Sequence, residues 1–547
     1  MARSLPKCVD TVIIGNGPSA LILSFMLHGN VPYYVGGHHD PILAAKLEQQ
    51  PNLLHLTPDL YAHFLSSLRY STQALPINTL LDTLIRPNAD TEVNPKSCIE
   101  WRYEPERAVS HVAIGDTAHA GGQWADNPVS ASADIGTLSY AEQLSLPGYS
   151  YADHLAKREK TDQCDFVRPS RTEFADYLSA YPEAVGISEA IITGTKVEDV
   201  CRTGDGFVVR SLGIRCRHLV LASGTFTVNI PPPRLLLPVA QLDSAQHPLL
   251  VIGSGFSAAD VIISAAPTRR IIHIFQWAPH TRPSPLRGCH HTAYPEYATV
   301  YRQMKIAAIA STKGRTAVSP MRRRKSYAQS QQRDWSLYEG LPNADITDLS
   351  ISHTTGAATL TIRLPSGEQT TRQAGSLAYV VGRRGTLSFL SPALQTEILN
   401  TTTPDDNNPS PLISGRTLRA KAEASLEVAP DVFITGSLTG DSLIRHAVGG
   451  CVFAAGRILR AIPSPASPIA AYPITRPSSP ASSSTDSSPN PNQRRSGKST
   501  PGELTNGHAD LHLDRRKLTR AVEVARAENR YWVETGWWAG GLGFGSG

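Results

Sequence analysis

The chain has 547 residues, with 52 Lys and Arg against 47 Asp and Glu for a formal charge of +5. At roughly 150 residues per domain, that length predicts three to four domains and excludes a disulfide-stapled mini-protein. The charge bias is too small to point to nucleic acid as a partner. Seven cysteines, at 8, 98, 164, 201, 216, 289 and 451, form no CxxC pair. That pattern fits reduced thiols rather than a secreted disulfide framework or a dithiol reductase. The opening MARSLPKCVDTVIIGNG reaches a glycine turn after a short apolar run, so it reads as no signal peptide. No run approaches roughly 18 uncharged apolar residues, so no membrane span is expected. The expectation is an intracellular chain, cytoplasmic with a nuclear location open.

Taken in order, short β-branched runs predict strands at 9–14, 32–35, 207–210, 218–221, 249–252, 271–275, 359–364, 378–381 and 431–434. Several lead through glycine into helical patterns, which argues for α/β layers rather than a bundle or an all-β sandwich. The polar, basic stretch 312–339 reads as a surface excursion. From 463 the composition turns to Pro, Ser, Thr and Asn, which cannot offset ordering entropy, so 463–512 is expected to be disordered. A helix is predicted over 511–532, followed by a Trp- and Gly-rich end. That tail reads either as an extension without fixed structure or as a docking element for a protein partner.

The strongest motif is the first. Val12-Ile13-Ile14 is followed by Gly15-Asn16-Gly17-Pro18-Ser19-Ala20 and then by an apolar helical run. Gly15 suits a tight turn, Gly17 lets backbone approach a pyrophosphate, and small Ala20 permits close helix–strand packing. The helix N-terminus would turn free N–H groups toward the anion. The strand at 32–35 should end in an acid to hold a ribose hydroxyl, yet it runs into Gly36-Gly37-His38-His39-Asp40. Asp40 is the candidate for that contact.

The pattern repeats at 249–260, where a strand leads into Gly253-Ser254-Gly255-Phe256-Ser257-Ala258. Two cradles in one chain suit two dinucleotides, FAD in the first and NAD(P)H in the second, as a hydride relay requires. After the strand at 271–275, Gln276 cannot pair a 2′-phosphate, which leaves Arg282 as the candidate or as a solvated loop arginine. Gly224 ends a strand where the chain would leave the FAD domain. Gly440 and Asp441 follow a late strand, before a helix predicted over 443–459. There Asp441 could hold flavin-chain hydroxyls.

These residues resemble the flavin-containing monooxygenase superfamily and, within it, the oxidative stress-induced growth inhibitor family. The resemblance covers roughly 10–460 and rests on VIIGNGPSA (12–20), GGQW (121–124), VLASGTF (220–226), VIGSGFSAAD (251–260), YPEY (294–297) and GDSLIRHAVGG (440–450). It implies FAD, NADPH and oxygen chemistry, with Gly122 and Trp124 beside the FAD, and a role in growth control. Arg168 to Tyr177 resembles a helix of N-hydroxylating relatives. The linker signature of flavin monooxygenases is missing between the cradles, where only Phe226 and His247 echo it. That departure leaves open a regulatory interaction protein on a monooxygenase scaffold, or an oxidase. No catalytic acid or base is assigned, and the substrate is unnamed.

The predicted fold is therefore α/β with two Rossmann-like domains, the NAD(P)H domain inserted in the FAD domain. Boundaries are expected at 1–235 and 386–462 for FAD, 236–385 for NAD(P)H, 463–512 for a disordered linker and 513–547 for the tail. The adjacent pairs His38-His39 and His290-His291 diverge at i, i+1, so no metal is expected.

Overall fold

The apolar run that opens the chain forms strand Cys8–Ile14, whose last four residues are all buried, as a central strand of a parallel sheet must be. It is flanked in parallel by Ile214–Leu221 on one side and His111–Ile114 on the other. Beyond these lie Val432–Ile434 and Ile191–Ile192, also parallel, with Glu427–Ala429 as an antiparallel edge. The computed structural model describes residues 5–461 apart from 57–59, 61–62, 64–73, 88–94, 159–166, 313–332, 353–355 and 401–411. The predicted linker at 463–512, the tail at 513–547 and the basic run Arg322-Arg323-Arg324-Lys325 lie outside the described residues.

A second parallel sheet has the order Tyr338–Pro342, Ile271–Phe275, Leu249–Ile252, Ser376–Tyr379. Its strands fall between two stretches that build the first sheet, so the second unit is inserted in the first. An antiparallel meander, Asp345–Ser352, Ala357–Arg363 and Gln369–Ala374, lays Ala358, Leu360 and Ile362 on Leu250, Ile272 and Ile274 in a core of its own. The chain passes between the units twice. The two passages pair with each other as a short antiparallel ladder, Val228–Asn229 with Arg383–Arg384.

All nine predicted runs fall on strands, with one change of place. Asn30–Tyr34 pairs antiparallel with Ile99–Tyr103, outside the parallel sheet. The position beside the first strand belongs to His111–Ile114. The late helix is Ala447–Ala461, entered through a 3-10 turn at Ile444–His446. The end of the predicted surface excursion is no loop: Tyr338–Pro342 is a sheet strand. Before it, Arg333 donates to the carbonyls of Ala266 at 2.9 Å and Arg269 at 3.0 Å, satisfying acceptors just past the C-terminus of helix Phe256–Ser264.

Among the described residues no helix is long and apolar enough to cross a membrane. No group of His, Cys, Asp and Glu among them is arranged to hold a metal.

Candidate functional site

Both glycine motifs form the turn that the sequence predicts, and their two glycines do different work. Gly15 has φ +124° and Gly253 φ +152°, a region that L side chains rarely adopt. A Cβ at Gly15 would sit 2.5 Å from the Ala222 carbonyl oxygen, and one at Gly253 would collide with the Val380 carbonyl. The neighbouring strand's backbone therefore requires glycine at each. Gly17 and Gly255 are different. Their φ values, −80° and −109°, are ordinary. A Cβ would meet nothing nearer than Gly121 O at 4.0 Å in the first case and Pro285 Cγ at 3.8 Å in the second. No protein contact requires these two glycines, and the space above them is open to a ligand.

Each of these second glycines is the N-cap of a helix, Pro18–Leu27 or Phe256–Ser264, and neither helix has a side-chain cap. By contrast, Asp40, Ser150, Ser170 and Ser391 cap their helices. An uncapped helix start beside an open glycine presents N–H groups and the positive end of the dipole to an anion. Ala20 and Ala258 are buried and allow each helix to press on its strand. These are residues that fit a dinucleotide pyrophosphate, twice.

Around the first cradle the protein closes in. Asn16 is 2 % exposed; its Oδ1 accepts from Thr117 Oγ1 at 2.9 Å and its amide donates to His119 O at 3.3 Å. Gly121 N donates to Asn16 O at 2.8 Å. A Cβ on Gly122 would lie 3.1 Å from Gly17 Cα, so the GGQW loop lies against the turn. Trp124 anchors this loop by packing edge-on against Phe174, with centroids 4.8 Å apart. Phe174 lies on helix Arg171–Ala184, whose Tyr177 hydroxyl donates to Tyr149 O at 2.6 Å. From the other side, Gly436 is so close to Ser19 that a Cβ there would strike its hydroxyl. The turn at Gly224 joins the same edge, where Thr225 N donates to Ser437 Oγ at 3.0 Å.

Two predicted acidic contacts are used elsewhere. Asp40 caps helix Pro41–Gln49 by accepting from Ile42 N and Leu43 N, and its other oxygen is 3.1 Å from His63 Nε2. Asp441 is buried and turned inward: one oxygen accepts from Leu75 N at 2.8 Å and Asn78 Nδ2 at 2.6 Å, the other from Arg419 at 2.6 Å. The physical reason is that helix Pro76–Ile85 starts at Leu75, which has no side-chain cap, and Asp441 supplies the carboxylate from a distant part of the chain. Gly440, at φ +94°, makes the turn that lets it do so. The acid that follows the strand neighbouring the first one is Asp116, exposed, two residues past Ile114. The signal that could have found it is HVAIGD (111–116), a short apolar run ending in Gly-Asp.

The second cradle opens on a cavity of about 670 Å³. Gly253, Ser254, Gly255 and Ser257 line it, with Gln276 and Arg282 following the strand on one side and Arg383 and Arg384 following the strand on the other; Thr225, Phe226, Ser437 and Gly440 line it too. Arg282 donates to Gln276 Oε1 at 3.2 Å, so the candidate guanidinium stands at the end of strand Ile271–Phe275, beside a residue that cannot supply the charge itself. Ser254 Oγ accepts from Gln276 N at 3.2 Å, and its carbonyl accepts from Ser284 Oγ at 2.6 Å. Beneath the turn, buried His273 lies 2.7 Å from both Gly253 O and the Tyr338 hydroxyl. Burial brings its pKa down to about 4, so the ring is neutral at physiological pH.

The YPEY motif ties the second cradle to the rest. The Tyr297 hydroxyl donates to Asp260 Oδ1 at 2.8 Å, and the Tyr294 hydroxyl donates to Leu138 O at 2.9 Å. The Arg168 guanidinium stacks 4.6 Å over the Tyr294 ring and faces Glu296 at 3.7 Å. Asp260 sits on the cradle helix, and burial pushes its pKa up to about 6.

No family model matches the chain. A mouse protein named oxidative stress-induced growth inhibitor 1 is 26% identical over 506 residues, covering 84% of this chain and 97% of its own. The human protein of that name is 28% identical over 358 residues, covering 57% and 72%. Over most of its length the chain is similar to proteins named oxidative stress-induced growth inhibitors. A Caenorhabditis elegans homolog is 23% identical across 82% of this chain and 94% of its own length. Among solved structures, a bacillithiol disulfide reductase from Staphylococcus aureus matches at 10% identity and a TM-score of 0.43, over 83% of this chain and 99% of its own. A flavin-containing monooxygenase from Stenotrophomonas maltophilia matches at 15% and 0.40, over 83% and 98%. At those scores the fold rests on the strand order described above, not on the likenesses.

Proposed function

We propose that this chain is a flavoprotein of the two-dinucleotide type, an FAD- and NADPH-dependent, monooxygenase-like oxidoreductase that serves growth control. The observation that carries the reading is the pair of uncapped helix starts, each with a glycine that no protein contact requires. In this reading the FAD-binding unit comprises 1–235 and 386–462, and the NAD(P)H-binding unit 236–385. Growth control is carried over from the names of the relatives.

Gly15 to Ala20 would hold the FAD pyrophosphate, with Asp116 placed for a ribose hydroxyl, and Gly122 and Gly224 forming the walls. Gly253 to Ala258 would hold the NADPH pyrophosphate, with Arg282 for the 2′-phosphate. A bound flavin would supply the redox chemistry between a reduced nicotinamide and oxygen. The protein's share is binding, orientation and exclusion of water. Tyr297 and Asp260 fix the second cradle helix, His273 fixes its turn, and Trp124 holds the GGQW loop over the first.

A second reading, a regulatory interaction protein on a weakly active scaffold, is favoured by the protein's own use of Asp40 and Asp441. The deciding experiment is to load the full chain with FAD, remove free flavin, record the visible spectrum and add NADPH without air. The proposal expects a retained flavin spectrum that NADPH bleaches. A colourless protein that does not keep added FAD would leave the scaffold reading in its place.

A further inference from the structure

The cavity has a charge at each end, and only one end is accounted for by a dinucleotide. Arg282 stands at the end of strand Ile271–Phe275, and the glycine turn lies between. At the junction end stand two more arginines, Arg383 and Arg384, on the ladder where the chain passes back between the two units. A dinucleotide carries its negative charge on the pyrophosphate and the 2′-phosphate. Its nicotinamide end carries none, and the oxidised ring is itself cationic. Two guanidiniums at that end therefore serve something else.

Their hydrogen bonds leave the charge in place. Arg383 donates to the amide oxygens Gln123 Oε1 at 3.2 Å and Asn127 Oδ1 at 3.3 Å, both neutral. Its guanidinium stacks 5.3 Å from the Phe226 ring centroid. Arg384 donates to the Arg383 carbonyl at 2.9 Å. Among the described residues neither arginine has a carboxylate within ion-pair distance. The carboxyl that faces Arg383, Asp260, lies beyond that distance, accepts from Tyr297 and faces Arg171 as well. The acid on the cavity wall, Asp345, is paired with Arg363 at 3.2 Å. Burial opposes the charged form of both Arg383 and Arg384, and half-buried cations without a counter-ion are costly unless an anion joins them. Hydroxyls of Thr225, Ser414, Ser437 and Ser442 stand in the same end of the cavity, along with the Phe226 ring. Cations, hydroxyls and an aromatic face make a site for an apolar acid.

We propose that the junction end of the cavity binds the carboxylate of an organic acid with an aromatic or similarly apolar body, held by Arg383 and Arg384. The proposal rests on the reading of the glycine end as the NADPH site, and makes this acid the substrate class presented beside it. A forked guanidinium matches a carboxylate with two parallel bonds, and Arg384 adds a second cation, so an uncharged amide of the same shape binds far less well.

Benzoate and benzamide are the probes, titrated calorimetrically into the full chain, with NADPH titrated separately into the same samples. The native chain is expected to bind benzoate at one site, and benzamide at least about tenfold more weakly. Arg383→Gln and Arg384→Gln are each expected to weaken benzoate by about tenfold or more while leaving NADPH within about threefold. Equal affinity for benzoate and benzamide overturns the proposal, as does native-like benzoate binding in both variants. An Arg383→Gln protein that loses NADPH and keeps benzoate also overturns it, by assigning the cation to the dinucleotide. If the native chain binds benzoate through these arginines but not NADPH, the acid site stands and the dinucleotide reading falls. Should Arg383→Gln fail to fold, Arg384→Gln and the two probes on the native chain still decide.

Discussion

The two glycine cradles have the same backbone and opposite surroundings. In each, the first glycine is forced by a carbonyl of the next strand, Ala222 or Val380, and the second glycine caps a helix with room for a Cβ. Yet the second cradle opens on the 670 Å³ cavity. The first is wrapped by Asn16, the GGQW loop and the turn at Gly436. The same turn can therefore sit against closely packed loops or on an open cavity.

The largest effects are expected where both cradles obey the same steric rule. Gly15→Ala and Gly253→Ala each place a Cβ into a backbone carbonyl at a left-handed φ, and each should cost about 3 kcal/mol or more, read as a drop in denaturation midpoint. A cost under about 1 kcal/mol at either would break the equivalence. Next comes the contrast in wrapping. Asn16→Ala leaves the buried Thr117 hydroxyl without one of its acceptors and should cost roughly 1–3 kcal/mol, whereas Ser254→Ala, on the cavity wall, should cost less than about 1 kcal/mol in the same melt. Equal losses would mean that the first cradle is no more enclosed than the second.

Asp260 tests the second cradle by pH. Its folded pKa of about 6 lies above the ordinary carboxyl value of 3.8, so the folded chain binds this proton more tightly than the unfolded one. The stability it contributes is full below pH 3.8, falls as the pH rises toward 6, and is gone above that. Asp260→Asn should therefore gain on the native chain by roughly 2 kcal/mol between pH 4 and pH 8. Denaturant melts at those two values check it, and a difference that does not change with pH would show that the carboxyl is not held in a dry site. The smallest effect on stability is expected at Gly17→Ala and Gly255→Ala. Each should change it by no more than about 1 kcal/mol, since the added Cβ would make only ordinary contacts, Gly121 O at 4.0 Å and Pro285 Cγ at 3.8 Å, while ligand binding suffers.

Much of this was legible in the residues. The nine β-branched runs and both glycine turns are local signals, and the inserted order of the two sheets follows from their spacing. What escaped was set by tertiary partners. His111–Ile114 is four residues long and reads as a strand only beside Cys8–Ile14, so the acid after the neighbouring strand was sought at Asp40, whereas Asp116 holds that place. Asp441 looked like a ligand contact because nothing local revealed that helix Pro76–Ile85 lacked a cap. The meander strands Asp345–Ser352 and Gln369–Ala374 are half polar, and their pattern carries little apolar signal. YPEY could be recognised but not explained until Tyr297 met Asp260, and Arg383 had meaning only once the two passages paired.

The most direct test of the two-cradle account titrates FAD and NADPH into the full chain, its Gly17→Ala form and its Gly255→Ala form. The account predicts that Gly17→Ala loses about tenfold or more in FAD affinity and keeps NADPH, and that Gly255→Ala does the reverse. If both substitutions leave both affinities unchanged in chains that melt like the native one, the open glycines hold no dinucleotide and the account is wrong.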